Sequence, residues 1–131
     1  MTFATFIRGV AADFLRISQN RRYVIDPGLF HSPRREGCHV CLAGAWLAGK
    51  GVDRGKQFLP SSFGRGSDTA NIMFGLDQLR VGNLTGASNL FRDAGITGGP
   101  TGTEEPPPLE EVAVFHAWLL ELAEDTERRG R

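Results

Sequence analysis

The chain has 131 residues, 40% of them hydrophobic and 23% charged, with 17 glycines, 7 prolines and only two cysteines. That length suits one domain with one core, and two cysteines three positions apart argue against a disulfide scaffold, because a structural disulfide gains most by closing a long loop. The formal net charge is 0, which hides a polarity: residues 1–66 carry ten Arg/Lys and four Asp/Glu, whereas residues 67–131 carry five and eleven.

The first segment, Thr2 to Ser18, places Phe3, Phe6, Ile7, Val10, Phe14 and Ile17 at helical spacing, which predicts an amphipathic helix. The same stretch lacks a long apolar h-region and a small-residue cleavage site, so no signal peptide is expected, and no run approaches the roughly 20 apolar residues of a membrane span. A soluble protein of a reducing cytoplasm is the expectation. Next comes QNRRYVIDPGLFHSPRREG, where Pro27-Gly28 and Ser32-Pro33 read as loop punctuation with room for one short extended piece at Tyr23 to Ile25.

From His39 to Leu47 the pattern predicts a second helix stopped by Gly49 and Gly51. It is lined by Ala43, Gly44, Ala45 and Ala48, so another element can approach it closely. Gly44 costs helix propensity of up to about 1 kcal/mol, which points to a packing reason for its presence. Ser67 and Asp68 offer caps for a third helix striped by Ile72, Met73, Leu76 and Leu79 and ended by Gly82-Asn83. Thr85 opens a short fourth helix through Phe91. Residues 97–108, TGGPTGTEEPPP, read as an exposed Pro/Gly/acidic linker. Pro108 then begins a last helix with Val112, Phe115, Leu119 and Leu122 on one face, widened by Val114 and Trp118. The expected fold is therefore all-α: a single domain, residues 1–131, of four to five helices with long Gly/Pro-rich connections.

Cys38 and Cys41 have the spacing of half a zinc site. The one quartet available is Cys38, Cys41, His31 and His116, since His39 stands beside Cys38 and is poorly placed to share its metal. A Cys-x-x-Cys at a helix start also suits thiol chemistry, because the helix dipole favours a thiolate, but the βαβ context of such redox proteins is absent from the pattern. A Cys-His hydrolase needs an imidazole in reach of the thiolate, oriented in its turn by Asp26. The reading preferred here is packing: Cys41 as a small core residue, Cys38 at the helix start, and neither cofactor nor catalysis. His116 falls beside the apolar face of the last helix, a position that more often packs than ligates.

Arg21, Arg22, Arg34 and Arg35 flank one loop, with Tyr23 and Phe30 as stacking partners, a composition suited to nucleic acid or another polyanion. Glu104, Glu105, Glu110 and Glu111 form the opposite cluster. These eight residues are the expected partner-binding positions.

The stretch FHSPRREGCHVCLAGAWLAG, Phe30 to Gly49, resembles small bacteriophage and prophage proteins that carry an aromatic-His pair, a Cys-x-x-Cys and an Ala-Gly helix; FGLDQLRVGNLTGA, Phe74 to Ala87, is similar to a second segment of the same proteins. Phenylalanine stands here where their usual aromatic is tryptophan, and the Pro-rich acidic linker is not part of their pattern. The resemblance implies a setting without a mechanism: a small protein that binds or blocks a host machine, as anti-CRISPR and other anti-defence inhibitors do. The expected partner is a host protein or protein–nucleic acid complex in the bacterial cytoplasm.

Overall fold

In the computed structural model, which describes residues 1–130, the chain is mixed α/β. Five α-helices, α1 (Phe3–Ser18), α2 (Leu42–Gly49), α3 (Asp68–Arg80), α4 (Leu84–Asp93) and α5 (Val112–Arg128), accompany strands β1 (Tyr23–Ile25), β2 (His31–Arg34) and β3 (Gly37–Val40). This corrects the all-α expectation. The strands form one sheet in the order β1-β3-β2, with β1 parallel and β2 antiparallel to the central β3. They are short enough to hide among turn residues, and Pro33 is tolerated because β2 is an edge strand whose outer side needs no N–H.

α1 forms as its periodicity dictates. Thr2 caps it by accepting the Thr5 N–H, and its buried stripe runs from Phe3 to Ile17. α5 lies antiparallel along it, Phe14 meeting Phe115 edge-on at 5.5 Å and Arg8 reaching Glu127 at 2.8 Å near the other end. α2 packs on α1 from another side, and the sheet packs on α2 and on the end of α1. The core also takes in α3 and α4, where Met73, Leu76, Leu79, Ala87 and Phe91 are buried.

Three boundaries differ from expectation. α4 runs from Leu84 to Asp93 with Asn83 as its cap, so Thr85 lies inside the helix. α2 starts at Leu42 and not at His39: Cys38 and His39 belong to β3, and Cys41 is the N-cap. α5 starts at Val112, capped by Glu111, so Pro108 lies ahead of the helix and Glu110 in the turn that leads to it. Val114 is 54% exposed and therefore not part of the core face.

The 97–108 segment keeps most of its side chains exposed, yet its backbone is tied to the body. Thr97 bonds Met1 and Phe3, Gly102 accepts from Leu84 and Thr85, and Glu104 donates to Gly82. It is a strap across the molecule. Gly82 makes this possible: its φ is +88°, and a Cβ there would lie 1.9 Å from the Glu104 carbonyl oxygen.

Candidate functional site

The Cys-x-x-Cys resolves into two separate environments. In β3, Cys38 and Val40 point toward α2 while His39 points away, by the alternation of a strand. Cys38 Sγ lies 3.6 Å from His31 Nδ1 and 3.8 Å from Nε2, and both residues are buried. His31 Nδ1 stands 3.0 Å from the Lys56 carbonyl. A carbonyl only accepts, so Nδ1 carries the hydrogen, and burial lowers the His31 pKa and keeps the ring neutral. Phe58 closes the pair edge-on, 5.1 Å from the imidazole.

Cys41 sits apart from this pair, with Sγ 4.0 Å from the Phe30 carbonyl. It lines a cleft of about 290 Å³ with Pro27, Phe30, Asp77 and Arg80. Burial pushes both thiols up in pKa, so both are protonated in neutral solution, the form that does not attack as a nucleophile. His116, half-buried on α5, does not complete a cluster: among the described residues no group of three or more His, Cys, Asp or Glu side chains is arranged to hold a metal ion. Cys38 is not at a helix start, and the dipole argument for it falls with the strand assignment.

On the outer face of the sheet, His39 is held by two carboxylates. Its Nδ1 is 2.8 Å from Asp26 Oδ2 and its Nε2 2.5 Å from Glu36 Oε1. Ionised carboxylates only accept, so both ring nitrogens carry hydrogens and the ring is an imidazolium. The hydrogen bond to Asp26 is the main cause of a raised His39 pKa; burial opposes it, and the hydrogen bond to Glu36 adds a smaller upward push. The pKa values of Asp26 and Glu36 move down, by the hydrogen bond to His39 in the first and by Glu36's own backbone and then His39 in the second. This clasp ties the β1–β2 loop to the β2–β3 turn.

The same register gathers the arginines. The Arg22 carbonyl accepts the Cys38 N–H at 2.9 Å beside Gly37, and Arg34 pairs with Gly37 from the other side. Arg21 and Arg35 are the adjoining turn residues, so all four lie at one end of the sheet and all are exposed. None of their guanidinium groups makes an ion pair among the described residues, where the pairs formed use Arg8, Arg16, Lys50, Arg80, Arg128 and Arg129.

The acidic positions divide. Glu104 and Glu105 lie on the strap beside α5, where Glu104 accepts the Trp118 indole N–H at 2.8 Å. Glu110 and Glu111 precede α5 and line none of the clefts there. The residues joining Glu104 and Glu105 are instead Glu121, Glu124 and Asp125, which sequence reasoning missed; their signal was the acidic second half of α5, legible only as a solvated helix face. Between strap and helix run two adjoining clefts of about 420 and 450 Å³ with Trp118 as their common floor. Among the described residues no helix is long and apolar enough to cross a membrane. No protein-family model, curated protein or solved structure matches the chain.

Proposed function

We propose that the chain is a non-enzymatic interaction protein of a phage or mobile element, acting in the cytoplasm of a bacterial host by binding and blocking a macromolecular machine, in the manner of an anti-CRISPR or other anti-defence inhibitor. The observation that carries this reading is unpaired charge on a fixed scaffold. Arg21, Arg22, Arg34 and Arg35 converge at the end of a hydrogen-bonded sheet and form no ion pair among the described residues, although Arg34 is near enough to help lower the pKa values of Asp26 and Glu36; an excess of one charge at an ordered surface steers and orients a partner. The resemblance to phage proteins supplies the setting. Against a thiol role stand the protonated sulfurs of Cys38 and Cys41, and against a metal role their separate environments, with no group of three or more ligating side chains gathered among the described residues.

The test is infection of a bacterium with an active defence system while it expresses the protein. Wild type is expected to raise plating efficiency, and Arg34→Gln with Arg35→Gln to lose that effect while folding normally. Equal plating with and without the protein, across hosts with different defences, would overturn the reading. Nucleic-acid binding is a second reading favoured by the same four arginines; a salt-sensitive gel shift that disappears in the double variant would support it.

A further inference from the structure

The Trp118 groove offers the complement of the arginine end. Glu105 and Glu121 flank it, and neither side chain makes a hydrogen bond or ion pair among the described residues. Glu104 is tied to the indole, and the charges of Glu124 and Asp125 are offset by Arg128 and Arg129. Its walls carry apolar surface: Pro106 and Pro107 on the strap face Val114 and Ala117 on α5, and Val81, also 54% exposed, continues the face past Pro106. The arginine end lies on the sheet, which packs on α1 and α2, whereas the groove lies between the strap and α5. A second copy brings the two oppositely charged faces together.

We infer that the arginine end of one copy docks in the Trp118 groove of a second copy, head to tail. The inference rests on the reading of these charged faces as contact surfaces. An arginine suits this groove because its planar guanidinium packs on the partly exposed faces of Pro106 and Pro107 while its fork reaches a carboxylate on either rim. Arg34 and Arg35 stand at the exposed hairpin turn between β2 and β3. The contact is heterologous, so each docked pair still shows one free groove and one free arginine end, and assembly continues with concentration. Partner capture through the arginine end then competes with self-association.

Sedimentation velocity on the full chain tests this with two neutralised variants, Glu105→Gln with Glu121→Gln and Arg34→Gln with Arg35→Gln. All four positions are exposed, and circular dichroism checks the fold; the single variants Glu121→Gln and Arg35→Gln replace a pair that fails to fold. Wild type is expected to gain mass with concentration at about 10 mM salt and to return to monomer at about 1 M, where the Debye length is about 3 Å. Each variant alone should stay monomeric. Their equimolar mixture should rise to about twice the monomer mass and stop there, because only one intact groove and one intact arginine end can meet. A wild type that is monomeric in low salt, variants that associate as wild type does, or a mixture that stays monomeric would each overturn the inference. A monomeric wild type whose antidefence activity still depends on Arg34 and Arg35 would refute self-association and leave the partner reading standing. Self-association without such activity would do the reverse.

Discussion

Replacing Gly44 with alanine sets two effects of opposite sign against each other. In an isolated helix the change adds propensity and favours folding by up to about 1 kcal/mol. Here a Cβ on Gly44 would stand 1.5 Å from the Phe30 carbonyl oxygen, 2.7 Å from its carbon and 3.0 Å from Val40 Cβ. The loop entering β2 must retreat by roughly 2 Å to restore ordinary contact. Where a flexible side chain gives way, such overpacking costs about 1–3 kcal/mol, but the obstacle here is backbone. Its displacement also drags His31, whose buried hydrogen bond to Lys56 is worth about 1–3 kcal/mol when its loss leaves a polar group unsatisfied. The net expectation is destabilisation by about 3 kcal/mol, near 10 °C in melting temperature for a chain of this size. Gly9→Ala is the control, since nothing lies within 4 Å of a Cβ there and the propensity gain should appear alone. Thermal melts followed by circular dichroism read both variants. If Gly44→Ala melts at or above wild type, the close approach of the β1–β2 loop to α2 is wrong, and with it the placement of the sheet.

The His39 clasp gives a pH signature. His39 has a raised pKa when folded, so its contribution is complete below the unfolded value of about 6.5 and is lost as pH rises through the folded one. Asp26 and Glu36 have lowered pKa values, so their contributions are present above the ordinary carboxylate range and are lost as pH falls through the folded values. The melting-temperature difference between wild type and His39→Gln should therefore peak near pH 5–6 and shrink toward both pH 3 and pH 9. Burial of neutral His31 lowers stability on acidification in both proteins alike and cancels in the difference; a flat difference would show that the clasp does not form. A thiol reagent should modify Cys38 and Cys41 at least about a hundredfold more slowly in native protein than in urea. One equivalent of zinc should leave the melting temperature unchanged, and a rise of several degrees would revive the quartet of His31, Cys38, Cys41 and His116.

Helices with long apolar periods were legible in the sequence. α1 and α3 fall where their stripes and caps place them, and the packing reason for Gly44 is the backbone of Phe30. The sheet was obscured because each strand has only three or four residues and because Pro27-Gly28 and Ser32-Pro33 carry stronger turn signals than the strands carry alternation. β1 alone was legible, as the extended piece at Tyr23 to Ile25; for β3 the trace is a period of two, with Cys38 and Val40 buried and His39 between them turned outward. Read as part of α2, that run hid the His39 clasp. The basic residues were visible as charge, but their convergence depends on the long-range pairing of β1 with β3, which no local pattern encodes. The acidic groove was half legible, because Glu104 and Glu105 stand out in a linker whereas Glu121 looks like any exposed helix residue.

The sheet end and the Trp118 groove carry charges that form no ion pair, and their role as contact surfaces shows in binding. The most direct test of that role is capture of a partner by the immobilised protein from a bacterial lysate, followed by association kinetics with the purified partner across salt concentration for wild type and for Arg34→Gln with Arg35→Gln. The expected result is a saturable partner whose association rate falls by about tenfold or more in the variant and loses most of its salt dependence, with dissociation changing less. Rates and salt slopes that are the same for both proteins would contradict it.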